Sequence, residues 1–243
     1  VDFLQFFAIV EADRDVLNPV SPEKLARVAE YAGLRDGLTV LDIGSGKGAM
    51  LRQWAERWDL RGTGVELNSS FVEAARSLVQ SEEVTARLRF WEGKALDYTA
   101  DPDGYDVVTC LGAPFAIGTF SEALAWMARH RKPGGRLVIG DVYLRTPQTP
   151  AQLNAAGWAG LPTLEERGAE VRAQGLTLLG LSAASVDDWD HYSSLMWGAA
   201  HRWAQEHPDH PDRAELLERV RGGQERYLGW EREHLGWAVW VAG

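Results

Sequence analysis

Apolar and polar positions along the chain change period repeatedly, and the changes mark alternating strands and helices. Thr39 to Ile43 is a short apolar run of β-branched residues and leucine ending in Gly44, the pattern of a strand buried on both faces. A glycine-rich turn leads from it into a helix over about Lys47 to Trp58, and Gly62 to Leu67 reads as a second strand. Phe71, Ala74, Ala75, Leu78 and Val79 recur at helical spacing and stripe the next helix. Leu88 to Trp91 and Tyr105 to Leu111 continue the strands, and Phe120, Ala123, Leu124, Met127 and Ala128 stripe another helix. The basic end of that helix, Arg129 to Lys132, complements its dipole. Pro133-Gly134-Gly135 then turns the chain into a strand from Arg136 to Gly140. Ahead of the whole series, Ser21-Pro22-Glu23 combines an N-cap, a first-turn proline and a dipole-compensating carboxylate, opening a helix that Gly33 closes.

After Val142 the rhythm breaks. A Pro- and Gly-punctuated stretch runs to Gly175, followed by an apolar run from Leu176 to Ala184 and a polar, Trp-rich helical region from Asp187 to Glu233. Gly236 to Ala242 closes the chain as a last strand. Strands joined by helical crossovers predict an α/β fold with a doubly wound, mostly parallel sheet, whose ligands sit beyond the carboxyl ends of the strands.

Composition narrows the classes. With 243 residues there is enough chain for one large α/β core, and no repeat or linker sets off a second unit. A formal charge of -10 repels phosphate backbones and anionic lipid heads, so neither nucleic acid nor a membrane is expected as a partner. The single cysteine, Cys110, excludes an internal disulfide and a thiolate-built zinc site, which fits a reducing compartment and a cytoplasmic location. Val1 to Val10 carries Asp2 and lacks a basic leader, so it is not read as a signal peptide. Val107 to Ser121, the longest uncharged stretch, is broken by Pro114 and two glycines and is too short for a bilayer.

Asp42-Ile43-Gly44-Ser45-Gly46-Lys47-Gly48 stands where the first strand ends and a helix begins. Glycines there allow close approach of a ligand, and the helix N-terminus offers free N–H groups to a carboxylate. A phosphate-cradling loop is excluded, because Gly48 rather than Ser or Thr follows Lys47 and Leu41 occupies the place of the first glycine. A dinucleotide loop tolerates Ala49 in the place of its third glycine. Asp42 counts against that reading: an anion is unfavourable beside a pyrophosphate and favourable beside a cation.

Val40 to Gly48 matches the first motif of the class I methyltransferases, and with its strand and helix order the chain resembles that S-adenosylmethionine-dependent family. The resemblance implies a Rossmann-like methyltransferase fold with a seven-stranded sheet and a C-terminal helical insertion before the last strand. Its expected division is an N-terminal helical segment 1–36, a cofactor-binding half 37–142, a substrate cap with the insertion 143–235, and the last strand 236–243. It also implies site roles. Asp42 would orient the amino-acid end of S-adenosylmethionine, with Gly44, Ser45 and Gly46 passing beneath it, and Glu66 would take the ribose diol in two charge-assisted hydrogen bonds. Leu67 would flank the adenine. Lys94 stands where an aspartate often accepts the adenine amino group, and an ammonium has donors only, so backbone groups of Ala95 and Leu96 or the carboxylate of Asp97 would serve instead. Leu111, Gly112 and Ala113 would line the methionine arm and the departing methyl, while Cys110 reads as core. Glu66 lies about 20 residues past the glycines, where dinucleotide enzymes also place an acid. A nicotinamide-dependent oxidoreductase and a non-catalytic S-adenosylmethionine-binding protein are therefore the alternatives, although none of the tyrosines has a lysine four residues on.

A narrower resemblance, to a group of small bacterial methyltransferases, rests on Asn18-Pro19, Val108 to Phe120, Gly140 to Tyr143, Trp189-Asp190-His191-Tyr192 and Leu235-Gly236-Trp237. It implies a donor and a small-molecule acceptor without naming the acceptor or the oligomeric state. Methyl transfer is an in-line displacement, so alignment and exclusion of water are the protein's main work. For an acceptor that must lose a proton, Asp141 and Tyr143, leaving the fifth strand, are the candidate bases, with local capping as the competing role. Seven of the eleven tryptophans fall from Trp158 onward, and Trp189, Tyr192 and Trp197, with Phe115 opposite, are the candidate acceptor pocket. Packing of the inserted helices is the alternative for each ring. Glu206 to Asp212, rich in His and Asp but holding two prolines, reads as a loop, and no metal is expected.

Overall fold

The computed structural model describes residues 1–79 and 81–243. Among the described residues the strands are β1 (Thr39–Ile43), β2 (Arg61–Glu66), β3 (Leu88–Glu92), β4 (Tyr105–Leu111), β5 (Arg131–Leu144), β6 (Leu178–Ala183) and β7 (Leu235–Ala242). They form a 7-stranded sheet in the order β3-β2-β1-β4-β5-β7-β6. β1 to β5 pair in parallel, and β7 runs antiparallel between β5 and β6. The doubly wound, mostly parallel sheet expected from the crossovers is thus the fold observed.

The helices are α1 (Phe3–Val10), α2 (Pro22–Tyr31), α3 (Ala49–Arg57), α4 (Ser69–Ser77), α5 (Glu82–Arg87), α6 (Phe120–Arg129), α7 (Pro150–Ala156), α8 (Leu164–Ala173), α9 (Val186–Glu206), α10 (Arg213–Arg226) and α11 (Arg232–His234). Two apolar layers cover the sheet. One joins Leu25 and Val28 of α2 and Leu51 and Trp54 of α3 to Val40, Val107, Val138 and Val239. The other joins Phe120, Leu124 and Met127 of α6 and Val171 of α8 to Leu41, Ile43, Val108, Ile139 and Trp240. Val40 and Leu41 falling in opposite layers is the period-2 alternation of a strand buried on both sides.

Several boundaries differ from the sequence reading, and β5 begins at Arg131, so that Pro133-Gly134-Gly135, read as a turn, lies within the strand. The helix after the glycine loop begins at Ala49 rather than Lys47, because Gly48 takes a left-handed conformation at its N-cap. β5 extends to Leu144 because β7 pairs with it from Leu137 to Leu144, a partnership nearly a hundred residues distant that no local pattern announces. The N-terminal apolar run, read only for what it excluded, is a helix: Asp2 accepts from the Gln5 N–H as its N-cap, and Phe6, Ile9 and Val10 form the buried stripe. That stripe packs with Ala200, Leu216 and Val220 of α9 and α10 in a separate small core. The loop from His207 to Asp212 divides α9 from α10, and among the described residues no group of three or more His, Cys, Asp or Glu side chains could hold a metal ion.

Candidate functional site

The sheet order reverses between β1 and β4, so the loops leaving their carboxyl ends diverge and open a crevice there. Gly44 sits in it with φ +67°, and a methyl on it would collide with Ala113 of the β4 loop. Gly46, at φ +53°, lies 2.8 Å (from an added Cβ) off Leu17 Cδ1. Both positions need glycine for conformation and for space.

Asp42 is 3% exposed near the end of β1. Parallel register sets it beside Thr109 of β4, and Thr109 Oγ1 donates to Asp42 Oδ1 at 2.6 Å. Burial pushes the Asp42 carboxyl up to about 7; the threonine's donation opposes the rise, and the charge of Glu66 adds to it. Among the described residues no ion pair offsets this carboxylate, although buried charges are ordinarily paired. Ser45 Oγ, in the same loop, is buried without a hydrogen-bond partner.

Glu66 ends β2 with its carboxylate held by two backbone donors: the Gly46 N–H reaches Oε2 at 2.9 Å and the Asn68 N–H reaches Oε1 at 2.8 Å. The glycine loop and the β2 loop are therefore tied through this one side chain. Leu67 (48% exposed) and Leu96 (61%) stand apolar and open at the ends of β2 and β3. Ala95 turns into the core beneath them, and Lys94 and Asp97 are exposed. Leu111 and Ala113 are buried or half-buried around Gly112, which has φ +74°.

A strap, residues 11–20, crosses these strand ends and was not anticipated from the pattern of the chain. Lys47, which in the sequence only argued against a phosphate loop, anchors it: its buried Nζ donates to the carbonyls of Glu11 (2.7 Å), Ala12 (3.1 Å) and Arg14 (2.7 Å) just past the end of α1. Burial draws the Lys47 ammonium below its usual range, against the pull of Asp15 and Glu11. Asn18 Nδ2 donates to the Leu111 carbonyl at 3.2 Å, and a methyl on Gly112 would strike Asn18. Arg14 donates to Glu11 Oε2 at 2.6 Å and to the Tyr192 carbonyl, and its guanidinium lies 3.4 Å over the Tyr192 ring. The strap is thus tied to the glycine loop, to β4 and to α9. A cleft of about 480 Å³ lies between strap and α9, lined among others by Asn18, Ser21, Asp187, His191 and Tyr192.

Of the four rings expected in a pocket, Tyr192 lines this cleft and Phe115 is 71% exposed after β4. Trp189 instead packs between the sheet layer and the small core of Leu144, Leu153 and Leu235. Trp197 also departs from expectation: it packs edge-on to Tyr227, at 5.9 Å, inside the α1, α9 and α10 core, because helical spacing turns it away from Tyr192. The two candidate bases both have neighbours that engage them. Asp141 is paired with Arg167 of α8 at 2.8 Å; burial raises its carboxyl and Arg167 opposes the rise. Tyr143 is 7% exposed, its ring set against Trp240 and Gly236 and its hydroxyl pushed up by burial. Both alternate onto the α6 and α8 face of β5, so strand pleat commits them to structure.

Comparison with known proteins gives the family. Residues 40–135 match the family model described as a methyltransferase domain. The chain is 30% identical over 99% of its length to the uncharacterized protein YjhP of Escherichia coli (strain K12), covering 98% of that protein. A solved S-adenosylmethionine-dependent methyltransferase from Geobacter sulfurreducens, in complex with S-adenosylhomocysteine, superposes with a TM-score of 0.91 and 30% identity, over 100% of this chain and 98% of that one. Erythromycin 3''-O-methyltransferase of Saccharopolyspora erythraea is 34% identical over 61% of this chain and 47% of its own length.

Proposed function

This chain belongs to the class I S-adenosylmethionine-dependent methyltransferases, and from that premise we propose that it moves a methyl group to a small-molecule acceptor by in-line displacement. The observation that carries the reading is the buried carboxylate of Asp42, which has no cationic partner among the described side chains. A ligand bearing positive charge at the β1 and β4 ends would supply what the fold leaves out. The glycine loop fits the same ligand: Gly44 and Gly46 clear the space that side chains would fill, and Ser45 Oγ is left to be satisfied.

S-adenosylmethionine, when bound, supplies a methyl on a sulfonium, electrophilic without further activation. Asp42 would balance its cationic amino-acid end, and Glu66, aimed by the Gly46 and Asn68 N–H groups, would accept from the ribose hydroxyls. Leu67 and Leu96 would hold the adenine between apolar surfaces, and Leu111, Gly112 and Ala113 would border the methionine arm. The strap crosses the strand ends, and its Asn18 touches both β4 and the cleft. We assign that cleft, with Tyr192 in its wall, to the acceptor. Asp141 and Tyr143 take no part in proton removal, being engaged in the ion pair and the core.

Calorimetric titration with S-adenosylhomocysteine and S-adenosylmethionine, followed by a mass-shift screen of small hydroxyl, amine and thiol acceptors, tests the proposal. Saturable binding and a 14-Da gain on one acceptor class, about the mass of a CH₂ unit, are the expected results. Absence of binding heat with both compounds would overturn it.

A further inference from the structure

We propose that Thr109 is a positioning residue of the donor site: its hydroxyl, set by sheet register beside Asp42, gives its one proton to that carboxylate and holds it as an oriented anion for a cationic donor. The inference rests on the donor-binding reading of the glycine loop given above.

The geometry leaves the hydroxyl little choice. Thr109 is fully buried and Asp42 nearly so, and parallel pairing of Asp42 with Thr109 puts the two side chains on one face of adjacent strands. Oγ1 lies 2.6 Å from Asp42 Oδ1 and 3.2 Å from the Leu41 carbonyl. A single proton shared between those acceptors goes to the nearer and charged one, where the bond is about twice as strong as a neutral one.

Among the described residues no other group around Asp42 does this work. Glu66, from β2, faces it with a like charge and so favours the protonated form. Cys110, next to Thr109 on β4, is kept a neutral thiol by burial and by the Asp42 charge itself. The ammonium of Lys47, on the same loop, is committed to three strap carbonyls. Valine has the same shape as threonine and no donor, so replacing Thr109 by valine leaves packing intact and removes only the stabiliser of the anion.

The test is calorimetric binding of S-adenosylmethionine to the full chain from about pH 5 to about pH 9 in wild type, T109V, T109S and D42N. In wild type the affinity climbs as Asp42 ionises near pH 7 and then levels. In T109V the climb moves up by about one pH unit, so that affinity falls roughly fivefold at neutral pH, approaches a tenfold loss near pH 5 and recovers at the alkaline end. T109S, which keeps the hydroxyl, follows the wild-type profile even if it melts earlier. Should T109V not fold, T109A carries the same expectation. A T109V profile that overlays wild type, or a loss independent of pH, overturns the role of Thr109. Wild-type affinity and pH profile in D42N would overturn the placement of the donor on this loop, a different failure read from a different variant.

Discussion

Gly46 carries two constraints at once, a left-handed φ of +53° and the side chain of Leu17 2.8 Å from where a Cβ would stand. G46V is expected to weaken S-adenosylhomocysteine binding by at least tenfold, since a β-branched residue in that conformation costs about 1–2 kcal/mol before Leu17 is displaced. Titration calorimetry measures it. Glu66 carries a different burden. Removing its carboxylate strands the N–H groups of Gly46 and Asn68 as well as the ribose hydroxyls. E66A is therefore expected to lose about 2–4 kcal/mol of donor binding, and E66Q less, because the amide still accepts one of the bonds. Equal affinity for E66A and wild type in the same titration would remove Glu66 from the site. At this scale the glycines and Glu66 were legible in the sequence, because backbone freedom and charge are local properties. The roles of Thr109 and Lys47 were not. A threonine within Val107 to Leu111 reads only as a strand former, and a lysine in a glycine loop reads only as a phosphate ligand that is missing its partner residues.

The elements divide in the same way. Helix starts were written in side-chain oxygens: Ser21 accepts from the Lys24 N–H at α2, as its Ser-Pro-Glu sequence implied, and capping boxes open α6, α7, α8 and α9. Several helix ends share another device. His130 stacks on Trp126, His207 on Trp203 and His234 on Trp230, each with Nδ1 within 2.9 Å of the tryptophan carbonyl four residues back. Such pairs put a ring nitrogen on a carbonyl near the helix end and give three of the tryptophans a packing partner. The strap was invisible because its ties reach Lys47, Leu111 and Tyr192, none of them sequence neighbours. K47M is expected to take the ammonium from the carbonyls of Glu11, Ala12 and Arg14, leaving Glu11 the Arg14 N–H alone, and to lower stability by about 2–4 kcal/mol, read as a shift of the urea midpoint. Protease cleavage within residues 12–16 should quicken in the same variant, and protection equal to wild type would mean that the strap is held elsewhere.

For the molecule as a whole, the donor site proposed on a buried carboxylate would set function against stability. The unfolded chain releases the Asp42 proton near the ordinary carboxylate value of 3.8, while the folded protein keeps it to about 7. Between these values the native state binds more protons than the unfolded one, so this group's contribution to stability declines as pH rises and the penalty is complete above about 7. D42N should accordingly be more stable than wild type at alkaline pH and little different near pH 4, while binding the donor less well; urea melts at the two pH values decide it. The sequence by itself determined the order of strands and helices, the glycine loop at the first strand end and the acid at the second, because strand and helix periodicity and backbone freedom are encoded within a few residues. Only the tertiary structure decided which polar side chains meet across strands, that Asp141 pairs with Arg167 and Trp197 packs on Tyr227, and that residues 11–20 cross the strand ends. Those outcomes depend on register, pleat and the docking of α1 on α9, which arise from contacts up to two hundred residues apart and leave no local trace.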